Sequence, residues 1–591
     1  MIGNHLPKSV LIGSASIVTL AFVAVAAHTV DWSNLSERLK QLSQPEQVET
    51  VAPAPAEKAV ESQKLTRGHS KQLSAAPFRS DQRGLVGVMS MYSGDSAGSN
   101  QKHLVSKPAP VASRSQQQSR DRFTSVDANP LKNVSAAPVS TFSIDVDTAS
   151  YSYVRRSFTN GQFPSTDAVR VEEMLNYFDY NYPVPEAGGA PFSTNVSIVE
   201  TPWNKDTKLM QIGIQGHKIP IAELPPQNLV FLIDTSGSMR RDDKLKLLQQ
   251  SFRLLLTSLR DEDEVAIVTY AGNAGVLLEP TRVSDKQLIL EKIDALTAGG
   301  STAGHEGLKG AYKLAEKMTG EGEQTRVILA TDGDFNVGLS DSDSLKHYIS
   351  AKRKQGTALS VLGFGHGNYN DELMQALAQN GQGVAAYIDT VAEARKVLVD
   401  QVVSSISMIA QDVKIQVEFN PQTVAEYRLI GYETRALKTE DFKNDKVDAG
   451  DIGAGHNVTA LYEITPVGSP AVKFPESRYG AKKEKPAGVS ETYSGELAFV
   501  KLRYKEPGED NSHLIETPVK STDQDIPVSE TLFAASVAGF GQLLKGADYL
   551  GDWSFEKSEK LARENIGADR FGYRSEFLTV LRLAQTAKLY E

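Results

Sequence analysis

A chain of 591 residues with 40% hydrophobic and 23% charged side chains is too long for a single core and calls for several folded units. Its formal charge of -10, without any dense Lys/Arg run, counts against general nucleic-acid binding, which needs a cationic surface. The absence of cysteine excludes disulfides, thiolate metal ligands, cysteine nucleophiles and lipoprotein acylation together.

Lys8 precedes a run from Ser9 to Val30 whose one ionisable group is His28 and which closes near Ala24-Val25-Ala26-Ala27. Residues 1–30 therefore read as an export signal. About 20 apolar residues also suffice to span a bilayer, so a cleaved peptide and an uncleaved inner-membrane anchor both fit. Either one places the bulk of the chain outside the cytoplasm. Residues 31–138 are rich in Ser, Gln, Ala and Pro and bury too little apolar surface to offset ordering entropy, so they read as a linker. The island Gly84 to Tyr92 within it is either a docking peptide or an accident of composition.

Order is expected from Val139. In Val139-Ser-Thr-Phe-Ser-Ile-Asp-Val-Asp147 the apolar Phe142, Ile144 and Val146 alternate with polar residues, the period of a half-buried strand. Val171, Met174, Leu175 and Phe178 then line one helix face, and two strand-like runs follow at Thr194 to Glu200 and Lys208 to Gly216. Residues 139–226 thus form an α+β flank. Asp145, Asp147 and Glu172 invite comparison with a second acidic metal site, but alternating carboxylates more commonly mark a solvated face.

From Gln227 strands and helices alternate strictly, beginning with Leu229-Val230-Phe231-Leu232-Ile233 and ending on a helix expected from Val391 to Ile409. Such alternation predicts a doubly wound, mostly parallel sheet over 227–409, with ligands bound outside the carboxyl ends of its strands. Period-2 strands return after Ala410, and the helices Val528 to Leu544, Ser554 to Asn565 and Ser575 to Tyr590 close residues 410–591. Strands on either side of the α/β block are expected to pair into one β-sandwich-like domain into which the block is inserted. Two separate β domains are the alternative.

Three loops of the block carry hard oxygen donors: Asp234, Ser236 and Ser238 after the first strand, Thr302 in Gly299-Gly300-Ser301-Thr302, and Asp332 in Ala330-Thr331-Asp332-Gly333-Asp334. Small oxygen ligands on converging loops suit magnesium, which wants about six oxygens and keeps some as water. Asp332, Asp334, Asn336 and Gly338 also mimic a calcium loop, but Val337 and Asp343 stand where such a loop needs glycine and glutamate. His305 is placed where it could touch a bound ligand, or is an ordinary helix-surface histidine.

These residues resemble the metal-ion-dependent adhesion site of von Willebrand factor type A domains, over a block from Leu229 to about Asp400. The resemblance implies a Rossmann-like fold. It also implies Mg2+, or Mn2+ or Ca2+, on Asp234, Ser236, Ser238, Thr302 and Asp332, with an open position for an Asp or Glu of a partner protein. The flanking Val139 to Asp147, Val169 to Met174, Arg428 to Tyr432 and Asp448 to His456 resemble the regions around that domain in a bacterial exported family. Over 139–591 the resemblance implies a Gram-negative envelope protein, with an envelope protein as the partner. No His-Glu-x-x-His zinc-protease motif and no Gly-x-x-x-x-Gly-Lys-Ser/Thr phosphate loop is present, so a binding module is expected rather than an enzyme. A structural envelope assembly factor with a non-functional metal site is the next reading, and a metal-dependent hydrolase the last.

Overall fold

A computed structural model describes residues 121–590 except 187, 334, 336–341, 402, 403, 405, 476–492 and 494. All of them belong to the compact unit Val111–Glu591. The expected export signal and the island at residues 84–92 lie outside the described residues. Among those described, no helix is long and apolar enough to cross a membrane.

The linker assigned up to residue 138 ends earlier in the structure. Asp121 accepts hydrogen bonds from the amides of Gly367 (3.0 Å) and Tyr369 (2.8 Å), and the Phe123 ring packs edge-on to Tyr153 at 4.7 Å. Val134 is buried behind β1 (Lys132–Asn133). Composition hid this arm because its few apolar residues pack onto distant parts of the chain.

β2 (Val139–Ser143), β3 (Phe192–Thr201) and β4 (Asn204–Gly216) precede the α/β block. Within it come β5 (Gln227–Asp234), β6 (Glu264–Tyr270), β7 (Ala274–Arg282), β8 (Gln324–Thr331), β9 (Thr357–Phe364) and β10 (Ala385–Ile388). They form one sheet in the order β10-β9-β8-β5-β6-β7, parallel except for the edge strand β7. Helices cover both faces, and β5 is buried at every residue, as its unbroken apolar run requires of a central parallel strand.

After the block come β11 (Met408–Phe419), β12 (Val424–Ile430), β13 (Gly450–Gly453), β14 (Asn457–Pro466), β15 (Glu496–Lys505) and β16 (His513–Lys520). One antiparallel sheet runs β1-β12-β14-β4-β3 and the other β13-β11-β15-β16, with β2 also pairing β11. Phe192, Met210 and Ile212 share one core with Phe142, Ile415, Val417 and Val500, so the sheets face each other as a sandwich. Each sheet contains strands from both sides of the block. The α/β block is therefore an insertion, as its flanking patterns predicted.

A helical layer of Ala149–Thr159, Val171–Asn176, Val528–Lys545, Phe555–Glu564 and Tyr573–Lys588 covers the other face of the first sheet, against Leu209, Ile430 and Leu461. Asp145 and Asp147, expected on a solvated face, are buried. The correction has an electrostatic reason: Arg435 donates to both, at 2.9 and 3.2 Å, and the Ala385 amide donates to Asp147. Glu172 is also fully buried, with Gly431 pressed against its backbone nitrogen. The helix expected from Val391 to Ile409 is shorter and divided, α-helical over Val391–Arg395 and π-helical over Lys396–Asp400, with Met408 already in β11.

Candidate metal centre at the strand ends

Asp234 is the last residue of β5 and is fully buried. Its carboxylate accepts from the Ser236 amide (2.8 Å), the Tyr270 hydroxyl (3.2 Å) and the Thr331 hydroxyl (3.2 Å). Burial pushes its pKa up to about 6 against these hydrogen bonds, and the neighbouring charge of Asp332 adds to the rise. Ser236 and Ser238, two residues apart on the turn after β5, bring their Oγ atoms to 2.9 Å.

Backbone contacts pull the second loop onto the first. The Gly237 amide donates to the Gly300 carbonyl (3.1 Å), and the Gly299 amide to the Thr235 carbonyl (2.8 Å). Gly300 takes a positive φ of 87°, and a Cβ there would stand 3.2 Å from the Gly272 nitrogen, so glycine permits the approach. Half-buried Thr302 follows in this loop, just before the helix Gly304–Met318. His305 lies in the first turn of that helix, half-buried, with its imidazole pKa lowered by burial and by Lys309.

The third loop leaves β8 at Thr331. Asp332 is fully buried, and Phe335 lies against Gly304, joining this loop to the helix that follows Thr302. Gly333 holds φ at 104° where a Cβ would collide with the Asn368 carbonyl oxygen. Asp334 and Asn336, of the calcium-like pattern, lie outside the described residues.

The five residues singled out in the sequence thus sit on three loops that touch one another at the carboxyl edge of the sheet. They carry two buried carboxylates and three hydroxyls, oxygen groups of the kind a hard divalent cation prefers. Among the described residues no group of three His, Cys, Asp or Glu side chains assembles as a metal site.

The sequence reading missed one participant. Lys244 places its Nζ 2.7 Å from the Asp332 Oδ2, with both side chains buried. It stands in the π-helical turn Asp242–Lys246, ahead of the helix Leu247–Ser258, where amphipathic periodicity alone assigns lysine to solvent. The sequence carried one signal, Gly365, whose φ of 75° and missing side chain make room for the Lys244 stem.

Comparison with known proteins places these features in context. The family pattern described as von Willebrand factor type A domain matches residues 229–334, and one described as von Willebrand factor matches 117–211. A third, described as the C-terminal part of uncharacterized protein YfbK, matches 404–587. The uncharacterized protein YfbK of Escherichia coli (strain K12) is 43% identical over 469 residues, 78% of this chain and 81% of that protein. Inter-alpha-trypsin inhibitor heavy chain H2 of Sus scrofa is 26% identical over 29% of this chain and 19% of its own length. A solved von Willebrand factor type A structure from Catenulispora acidiphila superposes with a TM-score of 0.37 at 16% identity, covering 68% of this chain and 91% of that one.

Proposed function

Because this chain belongs to the family of von Willebrand factor type A domain proteins that includes Escherichia coli YfbK, we propose that its α/β block is a divalent-cation-dependent protein-binding module of the cell envelope. The observation that carries the proposal is the convergence of Asp234, Ser236, Ser238, Thr302 and Asp332 on three touching loops at the strand ends. In this reading Ser236, Ser238 and Thr302 hold Mg2+, Mn2+ or Ca2+ with help from the two aspartates. The cation supplies an electrophilic position for the carboxylate of an Asp or Glu on an envelope partner.

The residues of the chain have clear tasks in such a site. Tyr270 and Thr331 orient the Asp234 carboxylate, and the Ser236 amide fixes its other oxygen. The work is binding, with no chemical step assigned to any side chain. Residues 9–30 would deliver the module to the periplasm, as a cleaved signal or as an inner-membrane anchor.

A direct test compares wild type with Asp234→Ala in thermal melting with Mg2+ or EDTA, and in pull-downs from envelope extract under both conditions. Mg2+ should raise the melting temperature of wild type alone, and a captured partner should be lost with EDTA and with the variant. No metal-dependent shift in wild type would refute the metal reading. It would then favour the second one, a structural assembly factor whose site is held by the Lys244–Asp332 ion pair without metal.

A further inference from the structure

We propose that Lys244 is a built-in counter-ion that weakens the grip of the strand-end site on a divalent cation until a carboxylate ligand arrives. The inference rests on the metal reading above and adds a role for a residue outside the five donors.

The ammonium is placed rather than incidental. The π-helical turn Asp242–Lys246 directs Lys244 inward, and its stem lies against Gly365, where any side chain would overlap Cγ, Cδ and Cε. The Gly365 carbonyl is fixed in turn by the Tyr387 hydroxyl at 2.6 Å. At 2.7 Å from Asp332 and almost without solvent, the lysine is bonded to one of the two carboxylates that would face the cation.

Formal charge gives the consequence. Asp234 and Asp332 alone would carry two negative charges, which a divalent ion neutralises completely. With Lys244 beside them the empty site carries one negative charge, the loaded site one positive, and only a bound carboxylate brings the total to zero. In a buried, low-dielectric setting such imbalances are strongly felt. Lys244 therefore disfavours the cation on its own and favours cation and carboxylate together.

The test is Mg2+ titration of the full chain by calorimetry and by thermal shift, in wild type, Lys244→Met and Lys244→Arg, without added ligand. Lys244→Met should bind Mg2+ at least ten-fold more tightly than wild type, and Lys244→Arg, which keeps the charge, within about three-fold of it. If Lys244→Met is unfolded in EDTA, Mg2+ should refold it, and the refolding midpoint reports the affinity. Failure of saturating Mg2+ to refold it overturns the proposal. Equal or weaker binding by Lys244→Met beside a binding wild type also overturns it and leaves the metal site standing. If neither protein binds Mg2+, the metal reading falls and takes this inference with it.

Discussion

The clearest single-residue consequences come from groups held where water cannot reach them. Burial, with Glu433 and Asp145 nearby, pushes the Glu172 pKa up to about 8 from an ordinary value near 4.5. The folded state therefore keeps a proton that the unfolded chain releases. This carboxyl costs nothing below about pH 4.5, and its cost grows as pH rises toward 8. Glu172→Gln, which mimics the protonated form, should gain on wild type by on the order of 2 kcal/mol between pH 5 and pH 8 in urea unfolding. A difference that stays flat with pH would refute this. Gly333 offers a steric counterpart, since its positive φ and the Asn368 carbonyl leave no place for a methyl group. Gly333→Ala should lose about 2 to 4 kcal/mol and, by displacing Asp332, the melting shift that the proposed site would give with Mg2+. An alanine variant melting like wild type would contradict the packing described.

Among the elements, the last helix of the α/β block is tied to the C-terminal helices by charge. Arg155, buried in the helix Ala149–Thr159, pairs with Asp389, with Glu393 at 2.8 Å and with Glu576 at 2.7 Å, and it donates to the Tyr177 hydroxyl. Lys396 lies 3.8 Å above the Tyr177 ring, and Tyr573 donates to Asp400 at 2.6 Å. Removing the arginine strands three carboxylates, so Arg155→Met should destabilise by about 3 to 5 kcal/mol and speed amide exchange across Tyr573–Lys588. Unchanged exchange there would show that the clamp does not couple these elements. The same elements mark what a reader of the sequence could see. Strict strand-helix alternation exposed the parallel sheet, and matching period-2 runs on either side exposed the sandwich. β7 escaped because, as an edge strand with Leu278 as its one buried residue, it shows no alternation. The π-turn at Lys396–Asp400 and the start of β11 at Met408 escaped because the apolar spacing continues through them. Asp234, Ser236, Ser238 and Asp332 could be singled out because their loops follow predicted strand ends, and Thr302 because it stands in a Gly-Gly-Ser-Thr loop between two helices. Lys244 was not, because its partner is distant in sequence and its setting depends on a π-turn.

For the molecule as a whole, the insertion means that neither flank is complete alone. β2 pairs with β11, and β4 lies between β3 and β14, so residues 121–226 contain only part of either sheet. A fragment of 121–226 should show no cooperative urea transition, while co-expression with 227–591 should restore one. Cooperative unfolding of the isolated fragment would mean that the flank is an independent domain after all.

The fastening of Asp121 to the amides of Gly367 and Tyr369 has a mechanical corollary. The loop it grips rests on Gly333, next to Asp332, and not on the sandwich. Tension drawn through the backbone ahead of residue 121 would load these few bonds first. A chain pulled taut from that side would feel the strain at the edge that carries Asp332 before any β-strand began to peel.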